Sequence, residues 1–121
     1  MIKSILVLDD NDDLCYLFKI GLQSQGISVF SFTNPLLALE YYKKHPNDFS
    51  LVLTDLRMPV MCGLEFANAI RKIHKEIEIW LMSAYILDNI ENNPNFVSAN
   101  ISKVIEKPID IDELTNLIKT A

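Results

Sequence analysis

Short, unbroken apolar runs alternate along this chain with segments whose apolar residues recur every three or four positions. A continuous apolar run bounded by polar residues reads as a strand buried on both faces, and the longer recurrence reads as a helix with one buried side. Ser4 to Leu8 is the first such run. After it, Leu14, Leu17, Phe18, Gly21 and Leu22 fall at helical spacing, and Gly26 supplies a left-handed stop just past Gln25. Ile27 to Phe32 reads as a second strand. Asn34-Pro35 opens the next helix, with Asn as cap and Pro at the first helical position. Leu36, Leu37, Ala38, Leu39, Tyr41 and Tyr42 supply its apolar faces, with the two tyrosines read as amphipathic helix surface. Lys43, Lys44 and His45 close it, where cations suit the helix dipole.

Leu51 to Thr54 is a third strand, ending on Asp55. A loop from Leu56 to Gly63 leads to a helix carrying Leu64, Ala67, Ile70 and Ile73, which Arg71, Lys72, His74 and Lys75 terminate. Ile77 to Met82 is a fourth strand, with Trp80 as a core residue. The stretch from Tyr85 to Asn100 carries five Asn and a Pro, which predicts a short, irregular fourth helix. Val104 to Glu106 is a fifth strand. Asp110 caps a last helix with Ile111, Leu114, Leu117 and Ile118 inward. Strand and helix thus alternate five times. Parallel strands need crossovers, and crossovers are right-handed, so the pattern predicts an α/β fold. We expect a doubly wound, five-stranded parallel sheet with helices on both faces, as one domain over residues 1–121 with no output domain after it.

Half of the 121 residues are hydrophobic and only three are Gly, a globular composition able to bury a core without staples. The net charge of −5 argues against a direct nucleic-acid binder, which needs a basic face. Cys15 and Cys62 are far apart and form no CxxC pair, so a reducing cytoplasmic setting is expected. No apolar run approaches the roughly 20 residues that span a bilayer, and the first run is too short for a signal peptide.

Ligands of such sheets bind beyond the carboxyl ends of the strands. Here those ends carry Asp9-Asp10, Asp55, Ser83 and Lys107-Pro108. Taken singly, each has an ordinary structural explanation: an Asp pair caps a helix, and a Lys before Pro is a solvated cation. Their shared placement is the signal. Two carboxylates ~4 Å apart repel by about 4 kcal/mol at an effective dielectric near 20. Three in one crevice call for a cation, and Mg²⁺ suits hard oxygen ligands beside a phosphoryl group. Asp as nucleophile, metal and Lys as charge neutralisers and Ser as hydrogen-bond donor together make a phosphoryl-transfer site.

Over essentially its full length the chain resembles the receiver domains of two-component response regulators. The resemblance rests on Asp9-Asp10, the run Asp55-Leu56-Arg57-Met58-Pro59-Val60-Met61-Cys62-Gly63, then Met82-Ser83-Ala84, and Lys107-Pro108. It implies a flavodoxin-like sheet of strand order 2-1-3-4-5. It also implies Asp55 as phospho-acceptor and Mg²⁺ held directly by Asp10 and Asp55, through water by Asp9, and by the backbone carbonyl of Arg57. By the same resemblance Ser83 moves toward the phosphoryl group, Lys107 pairs with its oxygens, an unusual peptide bond precedes Pro108, and Gly63 permits the loop its turn. Donor partners would be a histidine kinase or phosphotransfer protein, and the face from helix four to helix five would serve for partners or a homodimer.

Three departures from the family pattern matter. Val104 stands where many receivers carry a Phe or Tyr that rotates inward, so an aromatic switch at that position is excluded. Arg57 and Tyr85 occupy the variable positions that in this family tune hydrolysis of the phosphoryl group; the alternative is that both point into solvent. Ala99-Asn100 replaces the usual Gly-Ala turn, and Asn tolerates the left-handed conformation that turn needs. Two other readings compete with a phosphorylation-controlled switch. One is a degenerate receiver that binds protein without phosphorylation. The other is a haloacid-dehalogenase-type phosphatase, which would show Asp-x-Asp after the first strand and a larger chain with a cap.

Overall fold

The computed structural model describes residues 4–84 and 90–121. In chain order the elements are β1 (Ser4–Leu8), α1 (Asp12–Ser24), β2 (Val29–Phe32), α2 (Pro35–Lys44), β3 (Phe49–Asp55) and α3 (Gly63–Ile73). Then come β4 (Glu78–Ser83), a 3₁₀ turn (Ile90–Asn92), α4 (Pro94–Ala99), β5 (Lys103–Glu106) and α5 (Ile111–Lys119). The strands are all parallel and lie in the order β2-β1-β3-β4-β5. This is the doubly wound sheet that the alternation of runs predicts.

Side chains alternate across a strand, so each strand divides its apolar residues between two layers. Ile5, Val7, Leu53, Trp80 and Met82 face one way, against Phe18 and Leu22 of α1 and Leu114 of α5. Leu6, Leu8, Val52 and Ile79 face the other way, against α2, α3 and Ala99 of α4. Trp80 is buried as expected, and its indole N–H donates to Glu78 Oε2 at 2.8 Å.

Helix limits follow local chemistry. The side chains of Asn11, Asn34, Asn93 and Asp110 each accept a backbone N–H in the first turn of α1, α2, α4 and α5. Gly26 takes φ +82 after α1, and Asn100 takes φ +52 after α4, so the Ala99-Asn100 turn is left-handed as anticipated. Helix α4 is six residues long, in line with the Asn-rich sequence.

Several burial assignments need correction. Tyr42 is fully buried rather than on the surface, and its hydroxyl hydrogen-bonds Nδ1 of His74 at 2.9 Å. His74, beyond ending its helix, therefore meets a specific partner. The inward positions of α2 are Pro35, Ala38 and Tyr42, leaving Leu36 and Leu37 exposed. On α1 the inward set is Cys15, Phe18 and Leu22, and Leu17 is exposed. A helix laid on a sheet buries a narrow stripe, and in α2 that stripe runs through Pro35, Ala38 and Tyr42.

Candidate phosphoryl-acceptor site

Each site residue sits where a buried strand runs out. Asp9 follows β1 and is fully buried, with its backbone N–H donating to the Phe32 carbonyl at 3.1 Å. Its two carboxylate oxygens are both engaged. Oδ1 accepts the Asn11 N–H at 3.0 Å, and Oδ2 accepts from Lys107 Nζ at 2.7 Å. Asp10, next in the chain, is exposed. Asp55 closes β3 and is 8% exposed. Its Oδ1 accepts the Leu56 N–H at 3.0 Å and lies 3.4 Å from Lys107 Nζ. Carboxylate oxygens of Asp9, Asp10 and Asp55 all fall within 4.8 Å of one another.

Lys107 leaves β5 through a backbone N–H that donates to the carbonyl of Ser83 at 2.7 Å. That bond draws the end of β5 against the end of β4, and the Lys107–Pro108 peptide is cis. Ser83 is buried at the last position of β4. The structure thus brings Asp9, Asp10, Asp55, Ser83 and Lys107 to one rim of the sheet. Arg57 is exposed in the loop after Asp55. Val104 lies in β5, paired in register with Leu81. Tyr85 lies outside the described residues.

One ammonium against three carboxylates leaves excess negative charge. The electrostatic consequence falls on Asp55, whose carboxyl is pushed up to about 6. Burial is the main cause and the Asp9 charge adds to it, while Lys107 and the Leu56 N–H oppose. For Lys107 burial acts against its charge, but the hydrogen bond to Asp9 and the charges of Asp55 and Asp9 outweigh it and hold the ammonium above its usual range. A compact set of hard oxygen donors with surplus negative charge fits Mg²⁺, which would supply the missing positive charge.

Three features of the segment from Leu56 to Gly63 escaped the sequence reading. The first is why residue 63 is Gly. Its N–H donates to the Leu56 carbonyl at 2.7 Å, and a Cβ there would collide with the backbone oxygen of Asp55. The need is steric, created by the chain folding back on Asp55, rather than a turn conformation. The second is Val60, which takes φ +74 and is 81% exposed. A β-branched residue in the left-handed region costs roughly 1–2 kcal/mol. Val60→Gly is therefore expected to raise stability by about 1 kcal/mol after Gly's own entropy cost, read from urea midpoints. An unchanged or lower midpoint would show that Val60 bears no strain. The amide of Leu56 was also missed, because backbone donors leave no mark in a sequence.

The chain matches the response regulator receiver domain family over residues 5–119. It belongs to that family. Among curated relatives it is 31% identical to the response regulator receiver protein CpdR of Brucella abortus, covering 97% of this chain and 94% of that protein. It is also 31% identical to sporulation initiation phosphotransferase F of Bacillus subtilis, over 98% of this chain and 93% of that one. Among solved structures, the response regulator TrrA of Thermotoga maritima, in complex with Mg²⁺-BeF, superposes with a TM-score of 0.81 at 31% identity, covering 98% of each chain. The chemotaxis protein CheY4 of Vibrio cholerae shares the fold, with a TM-score of 0.86 at 22% identity over 99% of this chain and 98% of that one. This receiver domain is a module of two-component signalling rather than a metabolic enzyme.

Proposed function

We propose that this receiver accepts a phosphoryl group on Asp55 from a phosphohistidine of a histidine kinase or phosphotransfer protein, and that loading alters its partner-binding surface. The observation that carries this reading is the convergence of two further carboxylates and an ammonium on one buried, strand-end carboxylate. An Asp55 carboxylate oxygen attacks phosphorus, the P–N bond to the donor imidazole breaks, and its electron pair remains on the ring nitrogen. Lys107, already 3.4 Å from Asp55, pairs with the incoming phosphoryl oxygens, and the Ser83 hydroxyl donates to one of them.

Asp9, Asp10, Asp55 and the carbonyl of Arg57 would hold Mg²⁺, which when bound neutralises charge on the transferring group. Asp9 is fully tied to Lys107 and the Asn11 amide, which suits a ligand acting through water. The exposed Arg57 side chain, and Tyr85, would tune later hydrolysis.

The donor must bring its phosphoryl group over this rim. Beside it runs an apolar groove lined by Leu14, Leu17, Phe18, Pro108 and Ile109, with Lys107 at its edge. Tyr16 and Ile20 extend the exposed apolar surface of α1. We assign this face to the donor, and the α4–α5 face to downstream partners or a second copy. A cytoplasmic setting accords with two free cysteines and with no helix, among the described residues, long and apolar enough to cross a membrane.

Incubation with acetyl phosphate and Mg²⁺ tests the reading. One acid-labile phosphoryl group per chain is expected, on the peptide containing Asp55, and none without the divalent ion or in Asp55→Asn. Lack of incorporation in the unaltered chain would overturn the proposal in favour of a degenerate, phosphorylation-independent binding module.

A further inference from the structure

Apart from the two large apolar layers, a third and smaller cluster lies under the site. Its buried members are Leu56, Leu64 and Leu81. Two of them are joined to the site by covalent geometry. Leu56 follows Asp55 and donates its N–H to Asp55 Oδ1 at 3.0 Å. Leu81 lies two positions before Ser83 on β4, and so on the same face of the sheet.

Val104 of β5 covers part of this cluster, but it is small. Among the described residues, the aromatic side chain that packs on it is Phe96, half-buried on α4. Elsewhere α4 is tied to α3. Arg71 Nε donates to the Ala99 carbonyl at 2.8 Å, and the Ser98 hydroxyl donates to Asn68 Oδ1 at 2.9 Å. The six-residue helix is therefore tied to α3 by hydrogen bonds, sets Ala99 into the layer beneath α2 and α3, and rests Phe96 on the cluster that contains Leu56.

We propose that the state of Asp55 reaches α4 through Leu56 and Phe96, so that Phe96 couples site and outer face in this chain, where Val104 leaves β5 without an aromatic. The inference rests on the phosphoryl-acceptor reading above. Esterifying a carboxylate oxygen weakens Asp55 as acceptor for the Leu56 N–H and adds negative charge beside it. A close-packed cluster answers by repacking between discrete arrangements rather than by compressing. A six-residue helix is the element that follows most readily, because it holds little core of its own.

The test uses the full chain with Mg²⁺ and beryllofluoride, followed by amide NMR and hydrogen exchange. Beryllofluoride is expected to shift the Leu56 amide and to change exchange protection at residues 96–100 by about fivefold or more. In Phe96→Ala the Leu56 shift should persist while the α4 change falls below about twofold. Phe96→Leu keeps apolar volume and so keeps α4 folded, and the same loss is expected there. Val97→Ala, an exposed neighbour, and Val104→Ala should retain the full response. A full α4 response in Phe96→Leu, or an equal loss in Val104→Ala, overturns the proposal while leaving the acceptor reading intact. No Leu56 shift in the unaltered chain overturns both.

Discussion

Gly63→Ala is expected to destabilise this domain by about 3 kcal/mol or more, the upper range for forcing an atom into a filled site. The methyl group would strike the Asp55 carbonyl oxygen, and it would lie 2.9 Å from Leu56 Cα and 3.0 Å from the Asp55 carbonyl carbon. All three are backbone atoms of the segment that carries the acceptor carboxylate, so none can swing aside. Gly21 makes the informative comparison. The three atoms nearest a Cβ there all belong to the Ile111 side chain, the first being Cγ2 at 2.8 Å, and that side chain can rotate away. Ala also gains about 1 kcal/mol of helix propensity over Gly, so Gly21→Ala should fall within about 1 kcal/mol of the parent. Urea unfolding of both variants checks the pair, and similar losses would rule out the backbone collision as the cause. Phosphate incorporation should fall in Gly63→Ala as well, because relieving the clash moves Asp55 away from Lys107.

The metal-free domain should become more stable at neutral pH when Asp55 is replaced by Asn. The folded chain holds the Asp55 carboxyl at about 6, while the unfolded chain leaves it near 3.9. Between those values the native state binds the proton more tightly. The stability contributed by the neutral carboxyl is thus complete below about pH 4 and is lost as pH rises through about 6. Above that, an ionised Asp55 costs the native state on the order of 3 kcal/mol, a cost that Asn avoids. The variant's advantage in urea midpoint should be near that size at pH 7.5 and close to zero at pH 4. Saturating Mg²⁺ should shrink it by favouring the ionised carboxylate in the folded state. A gap independent of pH would show that burial of the Asp55 charge is not what sets it.

The sheet and the rim residues were legible for one reason: a polar residue that ends a continuous apolar run has to sit at a strand terminus. Asp9 and Ser83 follow that rule directly, and Asp55 and Lys107 come one polar residue later, after Thr54 and Glu106. Left-handed Asn100 was legible too, because Asn is one of the few residues to which that conformation costs little. Val60 was not, since nothing in a β-branched residue announces a positive φ, and the loop imposes it. Tyr42 was hidden for a different reason. Leu36, Leu37, Leu39, Tyr41 and Tyr42 offer α2 several apolar faces, and only docking over β1 and β3 selects Ala38 and Tyr42. Gly63 was rightly singled out but for another cause, because a collision between residues eight apart appears only once the loop has closed.

The ion pair of Lys107 with Asp9 joins residues 98 positions apart. During synthesis, every segment of the acidic hollow therefore exists before its counter-charge does. A polypeptide interrupted before Lys107 would lack the ammonium that Asp9 pairs with, and removing one partner of a buried pair costs about 3–5 kcal/mol. Fragments that stop short of the fifth strand are therefore expected to assemble the acidic hollow poorly, the last strand bringing the ammonium that closes it.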